Sequence, residues 1–505
     1  MGAGVLLSLT LFAACSPTGG STDDAGGPAD GEVRFLIAEN FWADWTPYAS
    51  TAQSQHRLNR QIYDTLMDFP TGRLDAPEPM LATSWEQVDE RTWEFELRED
   101  VTFHDGQEFG PDDVKASFEW ASGATGEESI LVDRWVPTQV EVVDENTVRL
   151  VTETPLASIF DAIRQTPIIA AEDVAAGADA MASEPNGTGP FKLEKETPTK
   201  KTMVANQDYW RDPAAIDTLV WEYVGDAQTR VNALKAGQAD VIDRVPAEHH
   251  ESLASTDGIA VESMTAAEQV NLWSIPGRVA AWDENPDLRR AIMLAIDRAS
   301  LTENLVQGES RPAMSHMPSE TLYYVENRPS YEQDVEEASR LVKESGAEGL
   351  EFEIWAAPGF LPAADKVGQA IVAMLEKVGL KPKLVTADVA GLVDDSTKKN
   401  GTGLLYHISW ASGGEPASAV GIYTSANRWH LADPTVDELV AEGKRTVDPA
   451  QREGVYAELQ ARLWETLPSL PLYYSDFTVA RSERVEGLQI LPNYDTYFYP
   501  ATLGE

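Results

Sequence analysis

The side chains in this sequence best suited to meeting a small molecule are aromatic. Fourteen tryptophans are generous for 505 residues, and several stand where a core position is not the obvious reading. Phe41-Trp42-Ala43-Asp44-Trp45 directly follows Val33 to Ala38, a short apolar run that suits a buried strand. Trp273 lies in Asn271-Leu272-Trp273-Ser274-Ile275-Pro276. Trp355 ends a strand ahead of Pro358-Gly359, Trp410 ends one ahead of Gly413-Gly414, and Trp429 follows Asn427-Arg428 in a loop. In α/β units, ligands meet residues at the C-terminal ends of strands. An indole buries roughly 150–250 Å², and at about 25 cal/mol per Å² that is several kcal/mol at most, before ordering costs. Aromatic walls suit an organic solute with apolar or ring surface, and at least two of these tryptophans are expected in a cleft. For each one the alternative is a core position under a loop. Arg428 offers a guanidinium fork for a carboxylate or another polar ligand group, or else a loop salt bridge.

The constellations that would signal catalysis or metal binding have plainer readings. His104-Asp105-Gly106 reads as a turn after a strand, with the glycine supplying backbone freedom. Asp297-Arg298 reads as a salt bridge or cap near a helix end, and His249-His250 as a solvated face without a partner at ligand spacing. A Gly-x-Ser-x-Gly elbow, a His-Glu-x-x-His helix and a P-loop are all missing from the sequence. A glycosidase would need two carboxylates at a set separation, but 83 acidic residues make some such pair inevitable. No catalytic residue, metal site or cofactor is expected. A secreted hydrolase acting on carbohydrate is the rival from the enzyme class.

The elements that must position these side chains are those of a large globular chain. Its length suggests about three domains, and 43% hydrophobic residues are enough for sizeable cores. Against 83 acids stand 39 bases, a net charge of −44 that repels phosphate backbones and excludes nucleic acid as a partner. Cys15 is the only cysteine, so neither an internal disulfide framework nor a Cys-based zinc site is available.

Met1 to Ala14 is uncharged, and Val5 to Ala14 is an apolar run. That is half the length of a membrane span and matches a signal-peptide core. Leu11-Phe12-Ala13-Ala14-Cys15 resembles a bacterial lipobox, with Phe12 where leucine is usual. The resemblance implies lipidation at Cys15. The alternative is an ordinary secretory signal with an incidental cysteine. Residues 16–32, rich in Ser, Thr, Gly, Pro and Asp, read as a flexible tether.

Beyond the tether, Trp85, Val88, Trp93, Phe95, Leu97 and Val101 alternate with charges, as in antiparallel strands with one wet face. Val140–Val143 and Asn146–Val151 flank Asp144-Glu145 as a hairpin. Leu288, Ile292, Ala295, Ile296 and Ala299 share one face of a helix starting near Asn285-Pro286-Asp287. Further helices are expected over 335–344, 363–378, 436–445 and 449–467, with strands over 380–385 and 470–474. Alternating strands and helices in the second half suggest an α/β lobe.

These residues also carry a family resemblance. Ile62-Tyr63-Asp64-Thr65-Leu66 and Leu81-Ala82-Thr83-Ser84-Trp85-Glu86 open the series. Phe95 to Gly106, running into Gly110-Pro111-Asp112-Asp113-Val114, is the most diagnostic block. Gly187-Thr188-Gly189-Pro190-Phe191, Asn206-Gln207-Asp208-Tyr209-Trp210, Ala236 to Val241 and Leu288 to Arg298 follow. In this order and spacing, through almost the whole mature chain, they resemble an extracytoplasmic solute-binding protein of the peptide, nickel and opine group that serves ABC importers.

The resemblance implies an α/β fold, two-lobed like periplasmic binding proteins, with a hinge, a central cleft and an extra β-rich domain near the N-terminus. Lobe I would comprise 33–52, 190–268 and 477–505, the extra domain 53–189 and lobe II 269–476. It also implies a non-catalytic function. The chain would capture a small organic solute, peptide or peptide-like first, in the interlobe cleft and deliver it to an ABC permease and ATPase complex. It would do so as a monomer, lipid-anchored to the outer face of the cell membrane or periplasmic. Opine or oligosaccharide uptake, or hand-over to a sensor, would use the same fold. The expected ligand-binding set is Trp42, Trp45, Trp273, Trp355, Trp410, Glu415, Arg428 and Trp429. One departure bears on the solute: peptide-binding relatives place an aspartate after the Trp410-like position to hold the peptide's amino group. Here Ser409-Trp410-Ala411-Ser412-Gly413-Gly414-Glu415-Pro416 has none. Either Glu415, out of phase by two or three positions, takes that role, or the ligand lacks a free N-terminus.

Overall fold

The computed structural model describes residues 27–504, apart from 40–43, 49–52, 70–75, 125–128, 130, 132–133, 309, 328, 359, 362, 411–413, 427–431 and 492–493. The described residues gather into three main bodies, each with its own core.

The first body is split in sequence. Strand Glu32–Ile37 lies parallel to Thr218–Tyr223 on one side and to Val241–Ile242 on the other, and the hairpin of Phe191–Thr197 and Lys200–Ala205 extends the sheet. Val33, Phe35 and Ile37 alternate into a core that also holds Trp221, Phe477, Val479 and Phe498, so the chain's two ends meet there. The chain is already held at Gly31, whose carbonyl accepts the N–H groups of Asp217 and Thr218 at 2.9 and 3.1 Å. Glu32, the last residue of the expected 16–32 tether, is thus the first residue of a strand.

The second body is built on the four-stranded antiparallel sheet 82–89, 92–97, 147–152, 138–142, in that spatial order. One face is wet and the other packs Phe95, Val148 and Leu150 against the helix Pro111–Ala121.

The third and largest body holds the parallel strands Glu351–Ala356, Lys381–Thr386 and Gly403–Trp410 under a helical layer. Its helices start where local chemistry says they should. Asn285 accepts the N–H groups of Asp287 and Leu288 at the head of Pro286–Ala295. Asp334, Asp433 and Asp448 cap Val335–Glu344, Pro434–Arg445 and Pro449–Thr466. Part of the acidic excess is thus used on helix N-termini, where carboxylates stabilise. Asp297 is one of these caps, while Arg298 is buried and donates to the carbonyls of Tyr331, Ser330 and Ala313.

Two long strands join the first body to the third. Ile259–Ser274 and Leu470–Ser482 pair antiparallel along their length and make the two half-sheets one ladder, with a register break between Met264 and Glu268. The apolar run Leu470 to Tyr474 is only the start of a strand of 13 residues. Its continuation through Ser475, Asp476 and Thr478 crosses a polar junction, which interrupts the apolar pattern.

Candidate functional site

At the crossing, the C-terminal ends of parallel strands from the first and third bodies face each other. Glu39 follows strand Glu32–Ile37, Asp243 and Arg244 follow Val241–Ile242, and Phe360 follows Glu351–Ala356. Arg244 is the centre of this cluster. Its Nε donates to Glu39 Oε1 at 2.7 Å and its Nη1 to Glu268 Oε1 at 2.5 Å. Its guanidinium lies 4.5 Å from the ring centroid of Phe360 and 5.5 Å from those of Phe477 and Tyr494. Burial works against the charge of Arg244, but Glu268 and Glu39 outweigh it and hold the guanidinium above its ordinary value. Burial pushes the Glu268 carboxyl up, and Ser409 Oγ donates to it at 3.2 Å. Beside them Arg57 pairs with Asp243 at 2.8 Å, under the rings of Phe35, Trp221 and Phe477. The three carboxylates are thus offset by two guanidiniums, almost out of reach of water.

Sequence reading missed this cluster. The available signal was charge directly after a short apolar run, as in Val241-Ile242-Asp243-Arg244 and Ile37-Ala38-Glu39.

The expected ligand-binding residues divide into two groups. Trp42, Arg428 and Trp429 lie outside the described residues, as does Cys15, and Trp410 is described only as the last residue of its strand. The other four have structural partners. Trp45 donates its indole N–H to Glu196 at 3.0 Å, with Lys201 over the ring at 5.5 Å. It lines a hollow of about 350 Å³ together with Asp44, Gln55, Ala182 and Glu196. Trp273, 5% exposed, packs in the core of the third body. Trp355 donates to Glu353 on the same strand at 3.0 Å, and its ring lies 6.3 Å from that of Tyr406.

Glu415 is 3% exposed and caps the short helix Pro416–Val420, accepting the N–H of Ala417 at 3.0 Å. Both its oxygens face the guanidinium of Arg452. A carboxylate so engaged would have to abandon a buried cation to hold a solute's ammonium group, which is costly. The residue two or three places out of phase with the family aspartate is therefore an internal strut.

Asp64, in the Ile62–Leu66 motif, accepts from Thr188, Tyr209 and Trp210 at 3.1, 3.2 and 2.9 Å and so binds three motifs into one buried knot. Nε2 of His104 lies 3.0 Å from the carbonyl of Gly189, and its backbone N–H reaches that of Gly187. These motifs are structural.

Comparison with known proteins fits this geometry. Residues 76–430 match the family described as bacterial extracellular solute-binding proteins, family 5. The glutathione-binding protein GsiB of Escherichia coli is 25% identical over 494 residues, 94% of each chain. The dipeptide-binding protein of Pseudoalteromonas sp. SM9913, solved with Met-Leu, superposes with a TM-score of 0.85 at 21% identity, over 94% of this chain and 100% of that one. AgaA of A. tumefaciens R10, solved with agropinic acid, gives 0.82 at 24% identity, over 94% and 99%.

Proposed function

This chain belongs to the family 5 bacterial extracellular solute-binding proteins, and on that premise we propose that it captures a peptide-like solute between its first and third bodies and passes it to an ABC permease and ATPase complex. These bodies are the two lobes of the fold, and the second is the extra domain. The observation that carries the reading is the pair of crossing strands. They join two α/β lobes whose parallel strands point their C-terminal ends at one another, which is the geometry of hinge closure on a ligand.

The residues assigned to meet the solute are Trp42, Trp410 and Trp429, whose indoles suit an organic surface, and Arg428, whose guanidinium suits a carboxylate. Because Glu415 is committed to Arg452, the solute is held without an ammonium anchor at that position. Relatives named for glutathione, a dipeptide and agropinic acid frame the class, and glutathione is the first compound to try. The chain works as a lipid-anchored monomer, tethered through Cys15 outside the cell membrane. Among the described residues no helix is long and apolar enough to cross one.

The test is a thermal-shift screen against glutathione, di- to hexapeptides with and without N-acetylation, opine-type conjugates and nickel–histidine complexes. A solute at a hundredfold excess over its Kd adds about 2.7 kcal/mol of stability. Peptide-like compounds should raise Tm, and N-acetylation should leave the shift in place. A shift abolished by N-acetylation would overturn the account of Glu415, and no shift with any compound would overturn the solute class.

A further inference from the structure

The extra domain is held by its two neighbours in different ways. Against lobe I it is fastened at many points. Asp64 holds Thr188, Tyr209 and Trp210. Lys192 donates to the carbonyl of His104 at 3.2 Å. Arg98 stacks 4.2 Å from the ring centroid of Trp210. Ile62 packs in the core of lobe I, and Gly187 and Gly189 come so close to its backbone that a Cβ on either would lie 2.0–2.6 Å from its carbonyl oxygen. Such a junction does not slide.

Against lobe II, the hydrogen bonds among the described residues include a pair of another kind. Ser418 Oγ, on the helix Pro416–Val420, donates to Asp161 Oδ2 at 2.5 Å, and the N–H of Ala157 donates to the carbonyl of Lys444 at 2.8 Å. Asp161 is prepared for this contact. It is 2% exposed, on the helix Ile159–Arg164, whose Ile159, Ala162 and Ile163 sit in the extra domain's core. Arg164 and Gln165 each donate to it at 2.7 Å. On the other side, Ala419 and Val420 anchor the Ser418 helix in the core of lobe II.

We propose that the extra domain is a clamp arm: carried rigidly by lobe I, it docks Asp161 on Ser418 of lobe II when the lobes close, and so sets the closed-to-open ratio without touching the solute. The inference rests on the two-lobe reading above, because only hinge motion about the crossing strands would make and break the contact. It gives the second body a task. Solute affinity would be scaled by the fraction of chains already closed, while selectivity would stay with the cleft.

The experiment uses the full chain without solute, so its outcome does not depend on what the chain captures. Cys15→Ser clears the background. Spin labels go on Val142→Cys in the extra domain and Val447→Cys in lobe II, at positions 45% and 53% exposed. A second pair uses Val142→Cys with Ala236→Cys, an exposed position in lobe I. Pulsed electron–electron distances are read in the Ser418, Ser418→Ala and Ser418→Asp backgrounds. Losing a hydrogen bond to a carboxylate should lower the closed-to-open ratio by about tenfold or more for Ser418→Ala. Ser418→Asp, which sets like charges together, should lower it further. The 142–447 distance should lengthen in that order while the 142–236 distance stays fixed. An unchanged 142–447 distribution in both variants would overturn the proposal, and so would a shift in the 142–236 pair. Should Ser418→Asp fail to fold, Ser418→Ala, which removes one oxygen from a half-buried side chain, decides alone.

Discussion

The two faces of the extra domain use the same chemistry to opposite effect. On the lobe I side, a buried carboxylate, Asp64, is surrounded by three donors from distant points of the chain, and glycines bring backbone against backbone. On the lobe II side, a buried carboxylate, Asp161, takes most of its donors from its own helix and extends one oxygen to a serine. A carboxylate whose partners lie in several elements cannot leave without stranding all of them. One partnered within its own helix can release a single outside donor and stay satisfied. What separates a permanent joint from a separable one is where the partners reside.

The sharpest way to break this contrast is at Asp64. Asp64→Ala leaves the buried donors of Thr188, Tyr209 and Trp210 without their acceptor, and should cost about 3 kcal/mol. The urea midpoint of the full chain would show it. Gly187→Ala forces a methyl onto the Ile62 carbonyl and should cost about 1–3 kcal/mol by overpacking. If it proves neutral, the joint is looser than described.

Acid should weaken the permanent joint and the lobe II core through their buried imidazoles. Burial holds His104 and His407 down at about 4 and His316 at about 3. The unfolded chain takes up these protons near pH 6.5, whereas the folded chain resists them. Stability is therefore full above that pH and falls as pH drops toward 4. Denaturation midpoints at pH 7, 5.5 and 4.5 should decline in that order. The smallest effect belongs to Ser418→Ala, which should move Tm by the equivalent of under about 0.5 kcal/mol. A large loss of Tm there would make the contact a fastening rather than a clamp.

How much of this was legible in sequence follows from how local each signal is. The helix head at Asn285 could be read because a cap is made by residues two or three apart, whereas the helix capped by Asp433 begins at Pro434, two residues ahead of its expected start at 436. The hairpin around Asp144-Glu145 was legible for the same reason: strands Thr138–Val142 and Thr147–Thr152 pair across it. Strand Leu470–Ser482 was seen only at its apolar start, because its second half passes the charged crossing, where the solvent-facing and core-facing pattern does not hold. The roles of Glu415 and Trp355 were invisible for a different reason. Arg452 lies 37 residues from Glu415, and only folding brings them together. Trp355 sits beside Tyr406 through a parallel pairing that leaves no trace in spacing.

The split core of lobe I also bears on how the chain is made. Its first strand, Glu32–Ile37, has no neighbour until Thr218–Tyr223 and Val241–Ile242 exist, and Val241 itself waits for Arg481. During synthesis the sheet keeps an unpaired edge until nearly the whole polypeptide has left the ribosome. Contacts so far apart in sequence make assembly slow. The same delay leaves the nascent chain open until the last strand locks the first in place.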